Sequence, residues 1–282
     1  MDLNLTELFK TVLIGVVEGL TEWLPISSTG HMILVDEFVK LNVSKAFMDM
    51  FLVVIQLGAI LAVVFLNFEK LNPVSPWKTK LQKKNTLKLW LKVIIACIPA
   101  AAVGIPLNDW MEENLMTTPV VAAMLILYGV LFILVEHFNR YRIARFRDVD
   151  HLDYKTALII GLFQVLALVP GTSRSGATIL GGIIFGASRV AATEFTFFLA
   201  IPVMFGASLI KILKFGFDYS SSEIIILAVG MITAFIVSIL SIKFLMMYIK
   251  KNDFTVFGWY RIVLGIIVLG YLFLIGDPIL NG

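Results

Sequence analysis

Six stretches of the chain are apolar almost without interruption: roughly 47–67, 88–107, 118–138, 194–213, 223–247 and 259–277. Each meets or approaches the ~20 helical residues that span ~30 Å of hydrocarbon. Two further apolar stretches fail as single spans. The first, 8–36, is interrupted by Pro25-Ile26-Ser27-Ser28-Thr29-Gly30, and the second, 156–188, by Pro170-Gly171-Thr172-Ser173-Arg174-Ser175-Gly176. Each leaves two arms of about 12–16 residues, and at ~1.5 Å per residue such an arm reaches only partway across. The pattern predicts an all-α polytopic membrane protein, a single integral membrane domain over 1–282. It has six transmembrane helices plus two re-entrant helical hairpins. The hairpin turns lie at membrane depth, where irregular backbone is tolerated only around a protein-enclosed cavity.

Lys and Arg in short loops set the orientation. They crowd 68–92 (Lys70, Lys78, Lys80, Lys83, Lys84, Lys88, Lys92), 139–155 (Arg140, Arg142, Arg145, Arg147, Lys155) and 248–258 (Lys250, Lys251). Asn108–Pro119 holds Asp109, Glu112 and Glu113 and no base, and 276–282 has no base either. With the basic loops cytoplasmic, six spans and two hairpins alternate and both termini lie outside. The 211–223 loop, with Lys211 and Lys214, is the one exception. The N-terminus carries Asp2 and Glu7 where a cleavable signal would be basic, so the first apolar stretch is expected to stay in the mature protein.

The two broken stretches match each other at an offset of 146: Gly15 with Gly161, Ser27 with Ser173, Gly30 with Gly176, and Glu18 opposite Gln164. Each is followed by three full spans, so the second hairpin enters from the opposite face. This predicts an inverted-topology repeat of approximately 1–140 and 150–282, with both turns converging near the midplane.

Composition narrows the function. Hydrophobic residues make up 59% and charged residues 15%, against roughly 25% charged in ordinary globular domains. Mean hydropathy is +0.92. A soluble enzyme and a disordered chain are excluded. The net charge of +3 suggests no polyanionic partner and no nucleic acid. The lone Cys97 excludes a disulfide framework and a cysteine-rich metal site.

Charge inside apolar segments is costly and marks function by default. The candidates are Glu18, Glu22, Asp49, Arg174 and Glu194. Glu18 and Glu22 are four apart and share a helix face, so they face a cavity and are paired, protonated or metal-bound. They precede Ser27, Ser28, Thr29 and His31. Arg174 stands among Thr172, Ser173 and Ser175, before a helix expected over Gly176–Phe185. Its planar fork suits phosphate oxygens, and the helix N-terminus favours an anion. Arg174 is alternatively a countercharge to Glu18 or Glu22, and the two readings can coexist. The hydroxyls of Ser27, Thr29, Thr172, Ser173 and Ser175 are further candidates for phosphate contacts. His31 is either a structural histidine or a general acid/base three residues after Ser28. Asp49 is read as interfacial, Glu194 as a brace, Gln56 and Gln164 as interhelical hydrogen-bonding groups, and His137 and His151 as solvated. Carboxylates could hold Mg²⁺ together with substrate phosphates.

The run Glu18-Gly19-Leu20-Thr21-Glu22-Trp23-Leu24-Pro25-Ile26-Ser27-Ser28-Thr29-Gly30-His31 resembles the first signature of the bacterial undecaprenyl-diphosphate phosphatases, the bacitracin-resistance family. Pro170–Gly176 resembles the second signature, and Ser188–Phe195 is also similar to family sequence. The resemblance spans the whole chain. It implies removal of the terminal phosphate of undecaprenyl diphosphate in the bacterial inner membrane, with the site open to the external face. The product is the lipid carrier for peptidoglycan and other envelope polymers. It implies essential residues at Glu18, Glu22, Ser28, His31 and Arg174, with Ser27 and Ser173 nearby, and a divalent cation, Mg²⁺ or Ca²⁺. Under it, Glu18 and Glu22 hold the cation or one acts as base, Ser28 is the nucleophile or orients water, and His31 relays protons. The partners are the lipid substrate and membrane lipids, and a homodimer stays open. Architecture alone also fits a secondary transporter or flippase of a phosphorylated lipid.

Overall fold

In the computed structural model, residues 4–275 are described. Helices account for nearly every apolar stretch, and most of their starts carry a side-chain cap, though those at Gln56, Phe68 and Thr118 do not. α1 (Leu5–Thr21) begins where the Asn4 side chain accepts from Glu7 N–H. α2 (Ser28–Phe38) follows a short turn. α3 (Lys45–Val54) is capped by Ser44 and continues, across a break at Ile55, into α4 (Gln56–Leu66). The short α5 (Phe68–Leu71) leads to α6 (Lys80–Leu115), which opens with a reciprocal Thr79–Gln82 capping box. α7 (Thr118–Asn139) has Pro119 in its first turn. α8 (Tyr154–Leu166) is capped by Asp153, and α9 (Arg174–Ile184) by Ser173. α10 (Arg189–Phe215), α11 (Ser221–Tyr248) and α12 (Thr255–Ile275) are the last three described helices.

Among the described residues six segments are long and apolar enough to cross a membrane: Lys45–Leu66, Lys80–Leu107, Thr118–Asn139, Arg189–Phe215, Ser221–Tyr248 and Thr255–Leu274. They coincide with the six expected from the hydropathy pattern. Three expectations need correction. The span expected over 47–67 is two helices, because the turn at Ile55 interrupts it. The helix expected to end near 107 continues to Leu115, so most of the acidic 108–119 segment is helical rather than a loop. No glycine or proline lies between Leu107 and Leu115 to stop it, and Pro99 and Pro106 are accommodated inside it. The helix expected from Gly176 starts two residues earlier, at Arg174.

The exceptional 211–223 segment has a structural partner. Lys214 Nζ lies 2.9 Å from Asp109 Oδ1, so this segment sits at the same end of the molecule as the acidic one. The opposite end gathers the start of α6, the end of α7, the start of α10 and the α11–α12 junction, with the basic loops.

The broken pairs α1–α2 and α8–α9 occupy the middle. The 11-residue helices α2 and α9 are only about 16 Å long, too short to cross and compatible with re-entrant hairpins. α1 packs on α11, and α8 packs on α6. Both contacts need the absence of a side chain: a Cβ at Gly15 would lie 2.9 Å from Gly230 O, and one at Gly161 would lie 2.3 Å from Ala96 O. α9 is enclosed by α7, α8 and α10, and every residue from Ser175 to Ile183 is buried. α2 lies against α1, α7 and α12 with most of its first two turns half-buried.

Candidate active site between two broken helices

The turns before α2 and α9 have the same backbone. Ser27 has φ 73° and ψ 103°, and Ser173 has φ 71° and ψ 120°. Among the described residues these are the two non-glycine positions with positive φ. Such geometry costs roughly 1–2 kcal/mol per residue and persists only where the surroundings over-determine it. Here each serine caps the helix it precedes: Ser27 Oγ accepts from Gly30 N–H at 3.4 Å, and Ser173 Oγ from Gly176 N–H at 3.2 Å.

Glu22 ties the turns together. Its Oε1 accepts from Arg174 Nη2 at 2.9 Å, and its Oε2 accepts from Ser28 Oγ at 3.3 Å. Its backbone carbonyl accepts from Ser175 Oγ at 3.2 Å. Arg174 also donates to Thr196 O at 3.1 Å and lies over the Trp23 ring. Both ionic side chains are largely buried, so the pair is held in place rather than solvated. A guanidinium offers five N–H donors, and two are spent on these contacts.

Glu18 stands one helical turn before Glu22 and is 2% exposed. Its Oε1 is buried with no hydrogen-bond partner. Thr172 Oγ1, Trp23 Nε1 and both amide atoms of Gln164 are buried and unpartnered as well. Leaving such atoms unpaired costs about 1–3 kcal/mol each, and polar groups in this state call for water, an ion or a ligand. The interhelical hydrogen bonds expected of Gln164 are absent: both of its amide atoms are buried and make none.

His31 is engaged at both nitrogens. Nδ1 is 2.7 Å from Ser27 O, and Nε2 is 2.7 Å from Tyr260 Oη. A carbonyl only accepts, so Nδ1 carries the proton and Tyr260 donates to Nε2 when the ring is neutral. His31 therefore meets Tyr260 rather than Ser28.

The structure brings Glu18, Glu22, Ser28, Arg174 and Ser175 to one place, with Ser27 and Ser173 as backbone anchors. Ser173 Oγ and Ser175 Oγ are 3.1 Å apart. Thr29 is half-buried on the first turn of α2. The remaining sequence candidates stand apart. Asp49 is exposed near the start of α3. Glu194 braces α10 to α5 through Lys70 at 3.0 Å. His151 pairs with Asp148 at 2.6 Å in an exposed loop, and His137 is exposed at the end of α7.

Arg261 was not among the sequence candidates, although it is fully buried. It donates to Gly171 O and Thr172 O at 2.9 Å, to Pro25 O at 3.2 Å and to Met124 O at 3.3 Å. One side chain thus ties the two turns and α7. The signal was available: an arginine near the start of the last apolar run carries the same cost as any other intramembrane charge.

Residues 11–267 match the family model described as bacitracin resistance protein BacA. The chain is 60% identical over 272 residues to an undecaprenyl-diphosphatase of Lactiplantibacillus plantarum, covering 95% of this chain and 99% of that protein. It is 58% identical over 268 residues to an undecaprenyl-diphosphatase of Desulfitobacterium hafniense, covering 95% and 96%. An undecaprenyl-diphosphatase of Enterococcus faecalis is 60% identical over 272 residues, covering 95% and 98%.

Proposed function

We propose a division of labour among these residues from one premise: the chain belongs to the bacitracin resistance protein BacA family and is a membrane enzyme that hydrolyses undecaprenyl diphosphate. The products are undecaprenyl phosphate, the lipid carrier for cell-wall synthesis, and inorganic phosphate.

One observation carries the assignment: Glu22 stands between Arg174 at 2.9 Å and Ser28 at 3.3 Å. A terminal phosphate that takes Arg174 releases Glu22 from its ion pair beside the Ser28 hydroxyl. Arg174 and the N-terminal end of α9 then hold the phosphate charge. Ser28 Oγ attacks the terminal phosphorus, and its proton passes to Glu22. The bond to the bridging oxygen breaks, and undecaprenyl phosphate leaves. Water then attacks the phosphoserine, releasing phosphate and restoring the hydroxyl. In the alternative, Ser28 orients the water that attacks directly. His31 exchanges protons through Tyr260, and Ser27, Thr29, Thr172, Ser173 and Ser175 supply hydroxyls around the phosphate.

The residues present suit a divalent cation such as Mg²⁺ or Ca²⁺. The unpartnered Glu18 Oε1 and the neighbouring Glu22 carboxylate are oxygen ligands in a buried place. Among the described residues no group of three or more His, Cys, Asp or Glu could form a complete cage, so substrate oxygens would complete the coordination, as is usual for Mg²⁺. A bound cation would offset negative charge on the diphosphate.

The prenyl tail is read as leaving past the half-buried flank of α2 into lipid. The site is read as opening to the external face with both termini outside, supported by the Lys and Arg at the other end. The halves 1–140 and 150–282 are read as inverted repeats, supported by the matching Ser27 and Ser173 backbones and by the crossed pairing of α1 with α11 and α8 with α6.

Phosphate release from the C55 diphosphate in detergent tests the assignment, with and without chelator, for wild type and Ser28→Ala. Detergent permits hydrolysis but abolishes vectorial transport, so release there is catalysis. Ser28→Ala should lose at least about 10³-fold in turnover while staying folded. A folded variant with near-normal turnover removes Ser28 as nucleophile. Full activity after rigorous chelation removes the cation.

A further inference from the structure

A cavity of about 300 Å³ lies at the basic end of the molecule, away from the two turns. Its wall includes Arg140, Arg142, Arg189 and Lys250, and no acidic side chain among the described residues lines it. Glu136, behind the wall, is 2% exposed and fully engaged. It accepts from Arg189 Nε at 2.9 Å and from Phe254 N–H at 3.1 Å. The excess positive charge facing the cavity is therefore that of Arg140, Arg142 and Lys250.

The wall is built rather than loose. Phe146 N–H donates to Gly186 O at 3.0 Å, and Ser188 N–H donates back to Phe146 O at 2.8 Å. These bonds fasten the arginine-bearing loop to the α9–α10 turn. Ser188 Oγ donates to Arg147 O at 2.8 Å, and Arg142 Nη1 to Ile184 O at 2.7 Å. Gly186 has φ +98°, and a Cβ there would lie 3.3 Å from the Arg145 Cβ. A larger residue would strain this turn and press on the loop. The Arg142 guanidinium is held by its bond to Ile184 O; guanidinium forks suit phosphate oxygens, and the lysine adds a point charge.

The surroundings decide what carries the phosphate. Phe138, Tyr141 and Ile143 alternate with the arginines and are 80%, 88% and 82% exposed. Bare apolar side chains of this size suit acyl chains and not water. Basic pockets between transmembrane helices at this level take anionic headgroups.

We propose that this cavity binds the phosphate headgroup of an anionic membrane lipid, at a site separate from the diphosphate site. Bound there, the lipid braces the C-terminal end of α9, whose other end carries Arg174.

The test uses the full-length enzyme in zwitterionic detergent, titrated with phosphatidylglycerol, phosphatidylcholine or inorganic phosphate. Retention is read by native mass spectrometry and by the shift in thermal midpoint. Phosphatidylglycerol should bind at least ten-fold more tightly than phosphatidylcholine. The combined Arg140→Gln, Arg142→Gln and Lys250→Gln variant should lose that preference while lipid-free turnover stays within two-fold. If the triple variant does not fold, Lys250→Gln and Arg140→Gln alone should each weaken the preference about three-fold. A control variant, Lys83→Gln with Lys84→Gln and Lys88→Gln on α6, removes the same charge from the same end. An equal loss there would overturn the site in favour of a diffuse basic surface. Equal binding of phosphatidylcholine, or inorganic phosphate binding as tightly as the anionic lipid, would overturn it too.

Discussion

The first broken pair, α1–α2, and the second, α8–α9, share a backbone and divide the chemistry. Ser27 and Ser173 hold the same positive-φ turn and cap 11-residue helices in the same way. The residue that opens α2 is Ser28, and the one that opens α9 is Arg174. One turn before the first break stand Glu18 and Glu22, where the second arm has Gln164 and Leu168. Acids, hydroxyl and imidazole sit on one side and the cation on the other. The pairs also differ in depth. α9 is buried from Ser175 to Ile183, while much of α2 is half-buried. The repeated backbone supplies a frame, and a few positions and their burial decide the role. A rigid, enclosed arm suits fixed charge recognition. A partly open arm suits reaction and lipid entry.

Exchanging the charges of the two arms should have the most severe effect on the site. Glu22→Arg combined with Arg174→Glu keeps an ion pair but moves the guanidinium to the open arm. Turnover is expected to fall about 10³-fold or more, as for Arg174→Ala and Glu22→Ala, because fixed donors must face the phosphate. The thermal midpoint should stay close to wild type in the exchange variant. Phosphate release and thermal unfolding in detergent check both. Recovery of activity in the exchange variant would show that the pair merely holds the helices together.

Arg261 ties the two turns together, and Arg261→Met should cost about 3 kcal/mol or more of stability, since three buried carbonyls lose their donor at roughly 1–3 kcal/mol each. The donors to Pro25, Gly171 and Thr172 carbonyls go at once. Arg261→Lys should recover only part, since an ammonium lacks the fork that reaches several carbonyls. A stable Arg261→Met protein with wild-type turnover would mean the turns hold their positions independently.

Arg261 also marks the limit of what the sequence discloses. The six spans and both breaks were legible because hydrophobic run length and Pro-Gly-Ser interruptions act locally. Glu18, Glu22 and Arg174 were legible because charge is scarce in such runs. The extension of α6 to Leu115 was missed because a polar segment ending a span looks like a loop although nothing in it breaks a helix. The bonds of Arg261 and of Tyr260 to His31 were missed for another reason. They join residues 89 to 236 positions apart, and only the packing of α12 against α7 and α2 brings them together.

A single substitution makes the first arm more like the second. Glu18→Gln places an amide where Gln164 stands in the other half. Turnover should fall about 10²-fold, the lower end for losing one group that stabilises transition-state charge, and its dependence on added Mg²⁺ should weaken or vanish. The fold should be at least as stable, because an unpartnered buried carboxylate oxygen is replaced by a neutral group. Phosphate release against Mg²⁺ concentration, with thermal unfolding in parallel, decides it. An unchanged Mg²⁺ dependence would take Glu18 out of the cation site.

The smallest effect asks whether the two turns are equivalent in energy as well as in shape. Ser27→Gly and Ser173→Gly each relieve roughly 1 kcal/mol of positive-φ strain and lose a few tenths from the cap. Each also gives the unfolded chain roughly 0.4–1 kcal/mol of extra freedom. These nearly cancel, so either glycine variant should unfold within about 0.5 kcal/mol of wild type. Ser27→Ala and Ser173→Ala keep the strain and lose the cap, so each should cost about 1 kcal/mol. The alanine–glycine gap combines the backbone term with the better capping of glycine over alanine, and the capping part is the same at both positions. An equal gap at both positions in detergent unfolding means that the frames are interchangeable. A gap present at Ser173 and absent at Ser27 would mean that the half-buried α2 can relax its turn while the enclosed α9 cannot, and the division between a rigid and an open arm would then extend to the backbone itself.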